Sequence, residues 1–109
     1  MADPNQVYDE AIELQQADKL HEAVAKLEGV AESHPDFALA HSALAVFYGK
    51  LDRHEEAVRE AAKVCELEPD DPFSFMAMSM ICQKAGQIPA AEQAMSQAME
   101  KQWAARKNA

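Results

Sequence analysis

Residues 11–35 read AIELQQADKLHEAVAKLEGVAESHP and residues 45–69 read AVFYGKLDRHEEAVREAAKVCELEP, so the chain repeats itself with a period of 34 residues. Both stretches begin with alanine, have aspartate at the eighth position and alanine at the thirteenth, and end with proline. A third and weaker copy has Ser79, Gly86 and Ala91 at the first three of these positions, and Trp103 where a proline would fall. A period of this length is typical of stacked helix pairs.

Each part of the repeat has a physical role. Small residues such as Ala11 and Ala23 let two helices approach closely, and larger ones such as Leu14 and Tyr48 fill the space between neighbouring pairs. Aspartate or glycine suits the turn within a pair, and proline ends a pair because it cannot continue a helix. The pattern predicts an all-α chain with helices at about 4–17 and 20–33, 38–51 and 54–67, and 72–85 and 88–105.

The composition supports an all-α globular chain and argues against nucleic-acid binding. Of the 109 residues, 49% are hydrophobic and three are glycine, which suits one domain with its own core. The net charge is −9, whereas a phosphate backbone requires a basic face. The charge is also uneven, since residues 1–36 hold nine acids and two bases and residues 73–109 hold two acids and four bases.

Cysteine usage and the first residues predict a cytoplasmic protein. Cys65 and Cys82 fit no metal-binding spacing and no disulfide framework, and both lie among apolar residues, so we expect two reduced thiols in the core. The opening residues MADP lack the basic and apolar regions of a signal peptide. No apolar stretch is long enough to cross a bilayer, so we expect no membrane insertion.

The period, the small-residue positions and the closing prolines resemble those of the tetratricopeptide repeat (TPR) family, over roughly residues 4 to 105. The departures are Glu10, where the family prefers leucine, and Trp103, which suggests that the last helix runs on. The resemblance implies a right-handed superhelical stack of three antiparallel helix pairs, forming a single domain over residues 1–109 with repeats at about 4–37, 38–71 and 72–105. It also implies a scaffold or adaptor that binds other proteins.

We find no motif for catalysis, for a metal or for a cofactor. The four histidines form no i, i+4 pair and no metalloprotease spacing, and His41 occupies a packing position, which predicts a partly buried core histidine. Carboxylate clusters such as Glu55-Glu56 stand near helix ends without a nucleophile, as in a solvated face favoured by the helix dipole. We therefore predict a protein that is not an enzyme and has no bound metal or cofactor.

In the TPR family the first helix of each pair lines a concave channel for peptides. One subfamily grips acidic chaperone tails with lysine, arginine and asparagine side chains. The corresponding residues here are Tyr8, Ile12, Ala43, Phe73 and Ala77, so this clamp is missing. The channel face instead predicts an apolar groove for a hydrophobic or amphipathic segment of a protein, formed by Tyr8, Ile12, Leu39, Val46, Phe73, Met76 and Met80. The alternative is that some of these side chains pack against neighbouring helices, or that the chain's own ends cover them.

The last helix carries Met95, Met99 and Trp103 in one stripe at i, i+4 and i+8. Met99 is the register mate of Ala31 and Cys65, positions that would touch a following repeat. Either Trp103 folds back onto Phe75 and Met78, or a second molecule covers the stripe. We predict a homodimer through these three residues, although the opposite charges of head and tail would also allow head-to-tail contact. In that case self-assembly would itself be the alternative function.

Overall fold

The computed structural model describes residues 3–108, and all regular structure in that range is helical, which confirms the all-α prediction. The last helix extends to Lys107, as the replacement of the third proline by Trp103 predicts. Within the same range, no helix combines the length and the apolar character needed to cross a membrane. The helices are α1 Pro4–Gln16, α2 Leu20–Ser33, α3 Ala38–Lys50, α4 His54–Leu67, α5 Pro72–Lys84 and α6 Ile88–Lys107.

The turn inside each helix pair contains one residue with left-handed backbone. The φ angles are 67° at Asp18, 60° at Asp52 and 78° at Gly86, a conformation that glycine adopts freely and aspartate tolerates. The following residue of each turn donates its N–H across five residues to a helix carbonyl, at 2.8 Å in all three turns. This hydrogen bond satisfies a carbonyl at the helix end. The left-handed backbone that it requires explains why aspartate or glycine recurs at this position of the turn.

Two helices begin at a proline preceded by an aspartate cap. The side chains of Asp3 and Asp71 accept hydrogen bonds from the N–H groups of Asn5 and Phe73, at 3.1 Å and 3.0 Å. Proline suits the first helical position because an N–H group there would have no acceptor within the helix, so its absence costs nothing. α1 and α5 therefore start at fixed residues of the sequence.

Each helix packs against its neighbours in the sequence, and α3 also touches α5. Ala11, Ala23 and Ala57 are completely buried where the helices of a pair cross, while Leu27 and Leu44 are the largest aliphatic side chains inside. The most continuous part of the core joins α1, α2 and α3. α3 and α5, the first helices of the second and third pairs, are in direct contact, and α1 joins α3 through α2 and the shared core.

His41 is buried between α3 and α4, and both of its ring nitrogens have partners. Nδ1 lies 3.0 Å from Oε2 of Glu60, and Nε2 lies 2.7 Å from the carbonyl oxygen of Pro35. Glu60 belongs to α4 and Pro35 to the connection between α2 and α3, so His41 links the second helix pair to the connection that precedes it. The sequence predicts a partly buried packing role for His41, and the structure shows it nearly fully buried.

Candidate peptide-binding groove

A groove runs between α3 and α5, and α4 forms its floor. It consists of two adjoining cavities of about 320 and 310 Å³ that share Ala45, Val46, Ala77 and Ile81. Small side chains are frequent in the walls, and Ala45 of α3 and Ala77 of α5 line both cavities. We use "the groove" for these two cavities together.

Four of the seven predicted groove residues line these cavities. Leu39 and Phe73 line the first cavity, Met80 lines the second, and Val46 lines both. All four are exposed, and Phe73 keeps 72% of its surface accessible. Exposed apolar side chains grouped in one concavity are typical of a binding surface.

The other three predicted residues do not line the cavities. Tyr8 and Ile12 are half-buried and pack against the core, and the ring of Tyr8 meets Phe37 edge-on with centroids 6.3 Å apart. Met76 is also half-buried and contributes to neither cavity. The structure thus brings together the α3 and α5 members of the predicted set, and it places the α1 members and Met76 elsewhere.

The sequence reasoning missed Ile81 and the acidic end of the groove. Ile81 lines both cavities and follows Ala77 by four residues, so its place on the same helix face was readable from the spacing. Glu68 and Asp71 line the first cavity from the connection between α4 and α5. Their position depends on how this connection folds back toward α3, which helical periodicity does not report.

The two ends of the groove have opposite charge. Glu68 and Asp71 stand at one end, although Asp71 also caps α5. Lys50 and Lys84 line the second cavity at the other end, in the last turns of α3 and α5. Neither lysine forms a salt bridge with any residue in the range 3–108. The groove is therefore apolar in its middle, acidic at one end and basic at the other.

The positions of a chaperone-tail clamp carry no basic or amide side chain. Tyr8 and Ile12 pack against the core, Ala43 is buried, and Phe73 and Ala77 present apolar surface to the groove. Across residues 3–108, no three histidine, cysteine, aspartate or glutamate side chains cluster closely enough to hold a metal ion. The chemistry offered by the groove is apolar contact with a charged group at each end.

No family model matches the sequence, and no curated protein matches it. Among solved structures, MamA has a TM-score of 0.86 at 17% identity over 95% of this chain, which spans 61% of the MamA chain. The second TPR of Spaghetti (RPAP3), bound to the HSP90 peptide SRMEEVD, has a TM-score of 0.78 at 17% identity and is covered to 89% by 88% of this chain.

A third likeness is to the Yersinia enterocolitica type III secretion translocator chaperone SycD. Its TM-score is 0.79 at 14% identity, with 90% of this chain and 74% of SycD covered. At these identities the likeness concerns the fold alone. The fold of this chain is therefore the TPR-like stack of helix pairs.

Proposed function

We propose that this chain is a protein-interaction module whose groove binds a hydrophobic or amphipathic segment of another protein. The observation that carries this proposal is the exposure of Leu39, Val46, Phe73 and Met80 in one concavity between α3 and α5. Water contact with such a patch is unfavourable, and burial by a partner relieves it. The RPAP3 structure, whose TPR holds a peptide, supports a peptide as the kind of ligand.

The charges at the ends of the groove give the ligand a direction. A segment that lays two or three large apolar side chains along α3 and α5 would place an acidic group beside Lys50 and Lys84. A basic group at its other end would lie near Glu68. Such end charges mainly improve specificity and association rate, so the apolar side chains would supply most of the affinity.

The proposal assigns no catalytic role and no cofactor to the groove. Ser42 lines one cavity and His54 the other, so the hydroxyl and the imidazole are not arranged as a nucleophile and its base. We further propose that residues 1–109 act as one domain with repeats at about 4–37, 38–71 and 72–105. Cys65 and Cys82 are both free thiols, which supports a reducing compartment such as the cytoplasm.

Selection of peptides from a displayed random library tests the proposal. Selected peptides should share apolar residues at helical or extended spacing and an acidic residue at one end. Phe73→Ala and Met80→Ala should each weaken binding by about thirtyfold, the equivalent of about 2 kcal/mol for an anchoring side chain. The double variant Lys50→Glu with Lys84→Glu should weaken binding less than either alanine variant does. Its effect should be larger at low salt, where charges are screened less.

Gln83→Ala is the matched control, because Gln83 is exposed on α5 and lines neither cavity. This variant should bind the selected peptides as the wild type does. Met76→Ala tests whether the groove extends further than the two cavities. Equal binding by wild type, Phe73→Ala and Met80→Ala would refute the groove, as would tight binding of the acidic peptide SRMEEVD that both alanine variants retain in full.

A further inference from the structure

The exposed face of α6 carries five residues that are placed symmetrically along the helix about Met99. Met95 and Trp103 stand four residues before and after it, and Glu92 and Arg106 stand seven residues before and after it. At 100° per residue, all five lie within about 40° of Met99 around the helix axis. We call these five residues the α6 face.

Equivalent positions in the earlier pairs are covered by the next pair. Leu27 and Ala61 are the register mates of Met95 and are exposed by 0% and 3%, whereas Met95 is exposed by 39%. Cys65, the register mate of Met99, donates its S–H to the carbonyl of Ser74 in the following helix at 3.4 Å. The α6 face therefore occupies the side of its pair on which α2 and α4 receive a neighbour.

Trp103 does not fold back onto α5, so the intramolecular alternative is wrong. Its side chain is 67% exposed. Phe75, its predicted partner, is buried and has the ammonium of Lys101 5.8 Å from its ring centroid. Met99 and Trp103 thus remain largely exposed on one helix face, and Met95 is partly exposed beside them.

The opposite end of the molecule does not complement the α6 face. α1 has Glu10 and Glu13 at the positions where α3 has Leu44 and Phe47, and these two carboxylates line one shallow depression on α1 and α2. Glu10 is paired with Lys26, but Glu13 forms no salt bridge within residues 3–108. Covering Glu13 with the apolar side chains of the α6 face would remove its charge from water without a partner, which is costly. Head-to-tail contact is therefore disfavoured.

A second copy of α6, running antiparallel, complements the α6 face at every position. With Met99 on the two-fold axis, Met95 of each copy faces Trp103 of the other, and Glu92 faces Arg106. Ser96 and Gln102, which flank Met99, also face each other, and neither is charged. Parallel pairing would instead place Glu92 against Glu92 and Arg106 against Arg106.

We propose that this chain forms a two-fold symmetric homodimer through antiparallel packing of the α6 faces. The contact is isologous and closes on itself, so it yields a dimer and not a filament. Apolar burial by Met95, Met99 and Trp103 supplies the attraction. The paired charges of Glu92 and Arg106, which form no salt bridge within residues 3–108, select the antiparallel orientation.

Sedimentation equilibrium of charge variants tests both the dimer and its orientation. The wild type should show a mass of twice 12.0 kDa that dissociates on dilution. Glu92→Arg alone and Arg106→Glu alone should each weaken the dimer at least tenfold, because like charges then face each other at both ends. The double variant should restore the dimer, and so should an equimolar mixture of the two single variants.

Each alternative result would overturn the proposal. A constant monomer mass in the wild type would show that no dimer forms. If both single variants dimerise as strongly as the wild type, the α6 face is not the interface. A double variant that dimerises no better than the single ones excludes the antiparallel orientation. Both substituted positions are exposed, so circular dichroism should show unchanged helix content.

Crosslinking at the two-fold axis gives an independent readout. Met99→Cys should form a disulfide-linked dimer on mild oxidation, because the two copies of position 99 face each other. Gln97→Cys is the control, since Gln97 is also exposed but lies about 160° away around the helix. The unmodified chain, which keeps Cys65 and Cys82, sets the background. Equal crosslinking of both variants would contradict the proposed axis.

Discussion

The hydroxyl of Tyr48 in α3 donates a 2.6 Å hydrogen bond to Oε2 of Glu28 in α2, and so joins the first helix pair to the second. The guanidinium of Arg53 lies 4.5 Å from the centroid of the Tyr48 ring and forms a two-pronged ion pair with Glu56. Burial, followed by the bond to Glu28, raises the pKa of Tyr48 well above its usual range. The phenol thus stays protonated and acts as a donor at all ordinary pH values.

Tyr48→Phe should lower the free energy of unfolding by about 1 kcal/mol, since it removes one hydrogen bond to a partly exposed carboxylate. Tyr8→Phe is the control, because the Tyr8 hydroxyl forms no hydrogen bond within residues 3–108 and its ring contact with Phe37 is kept. Urea denaturation of the three proteins measures the difference. Equal losses in both variants would show that the bond to Glu28 does not stabilise the junction.

The left-handed turn at Gly86 allows a prediction in which two glycines respond oppositely. A Cβ at Gly86 would meet no atom within 4 Å, so Gly86→Ala should cost only the backbone strain of φ 78°, about 1 kcal/mol. Gly86→Asn should cost less, because asparagine tolerates this conformation as aspartate does at the equivalent turns. Thermal unfolding measures both.

Gly29→Ala is the counterpart, since Gly29 lies inside α2 and a Cβ there also meets nothing within 4 Å. Alanine favours the helix over glycine, so this variant should be more stable by about 0.5–1 kcal/mol. If both alanine variants shift the melting temperature in the same direction, backbone conformation does not decide their stability.

Much of the fold was predictable because it depends on short-range features that recur. Pro35 and Pro69 end two helix pairs, and Ala11 and Ala23 permit a close crossing that no larger side chain allows. The limits of the groove were less accessible. Tyr8 is half-buried and its ring meets Phe37, which lies beyond the closing proline, and sequence spacing along α1 does not report that contact.

Glu10 shows the same limit from the other direction. The sequence marks it as a departure from the family pattern, which suggests an imperfect first repeat. In the structure it forms a half-exposed 3.1 Å ion pair with Lys26 of α2, at a shallow depression that Glu13 and Lys19 also line. The role of Glu10 in a polar end surface can be recognised only when the neighbours of α1 are known.

The two thiols should respond weakly to modification and make the fold sensitive to alkali. Burial, and to a smaller extent the nearby Cys82 and Asp71, raises the pKa of Cys65, and burial raises that of Cys82. A raised pKa in the folded state means that the thiol contribution to stability is complete below the ordinary pKa of 9.0. It is lost as the pH rises above that value, because the unfolded chain then releases protons first.

Urea midpoints at about pH 7 and about pH 10 measure this loss. Cys65→Ala with Cys82→Ala should reduce the difference between the two midpoints, whereas Gln83→Ala should leave it unchanged. At pH 8 the folded wild type should react with a disulfide reagent much more slowly than the urea-unfolded chain. Rapid reaction of Cys82 in the folded protein would contradict its burial.

The acidic end surface of α1 leads to the last prediction, which concerns the type of assembly. Glu10 and Glu13 stand where α3 has Leu44 and Phe47, both of which are buried in the junction with the first pair. The double variant Glu10→Leu with Glu13→Phe would give α1 an apolar surface like the one that α3 presents to α2. This surface fits the α6 face of another copy, and a head-to-tail contact does not close. Light scattering should therefore show a mass that keeps growing with concentration, whereas the mass of the wild type levels off.

Glu10→Gln with Glu13→Gln is the control, since it removes the charges without adding apolar surface. The half-exposed ion pair with Lys26, which this variant also removes, contributes at most about 1 kcal/mol. A limiting mass equal to that of the wild type in the Leu/Phe variant would show that the carboxylates of α1 do not prevent stacking.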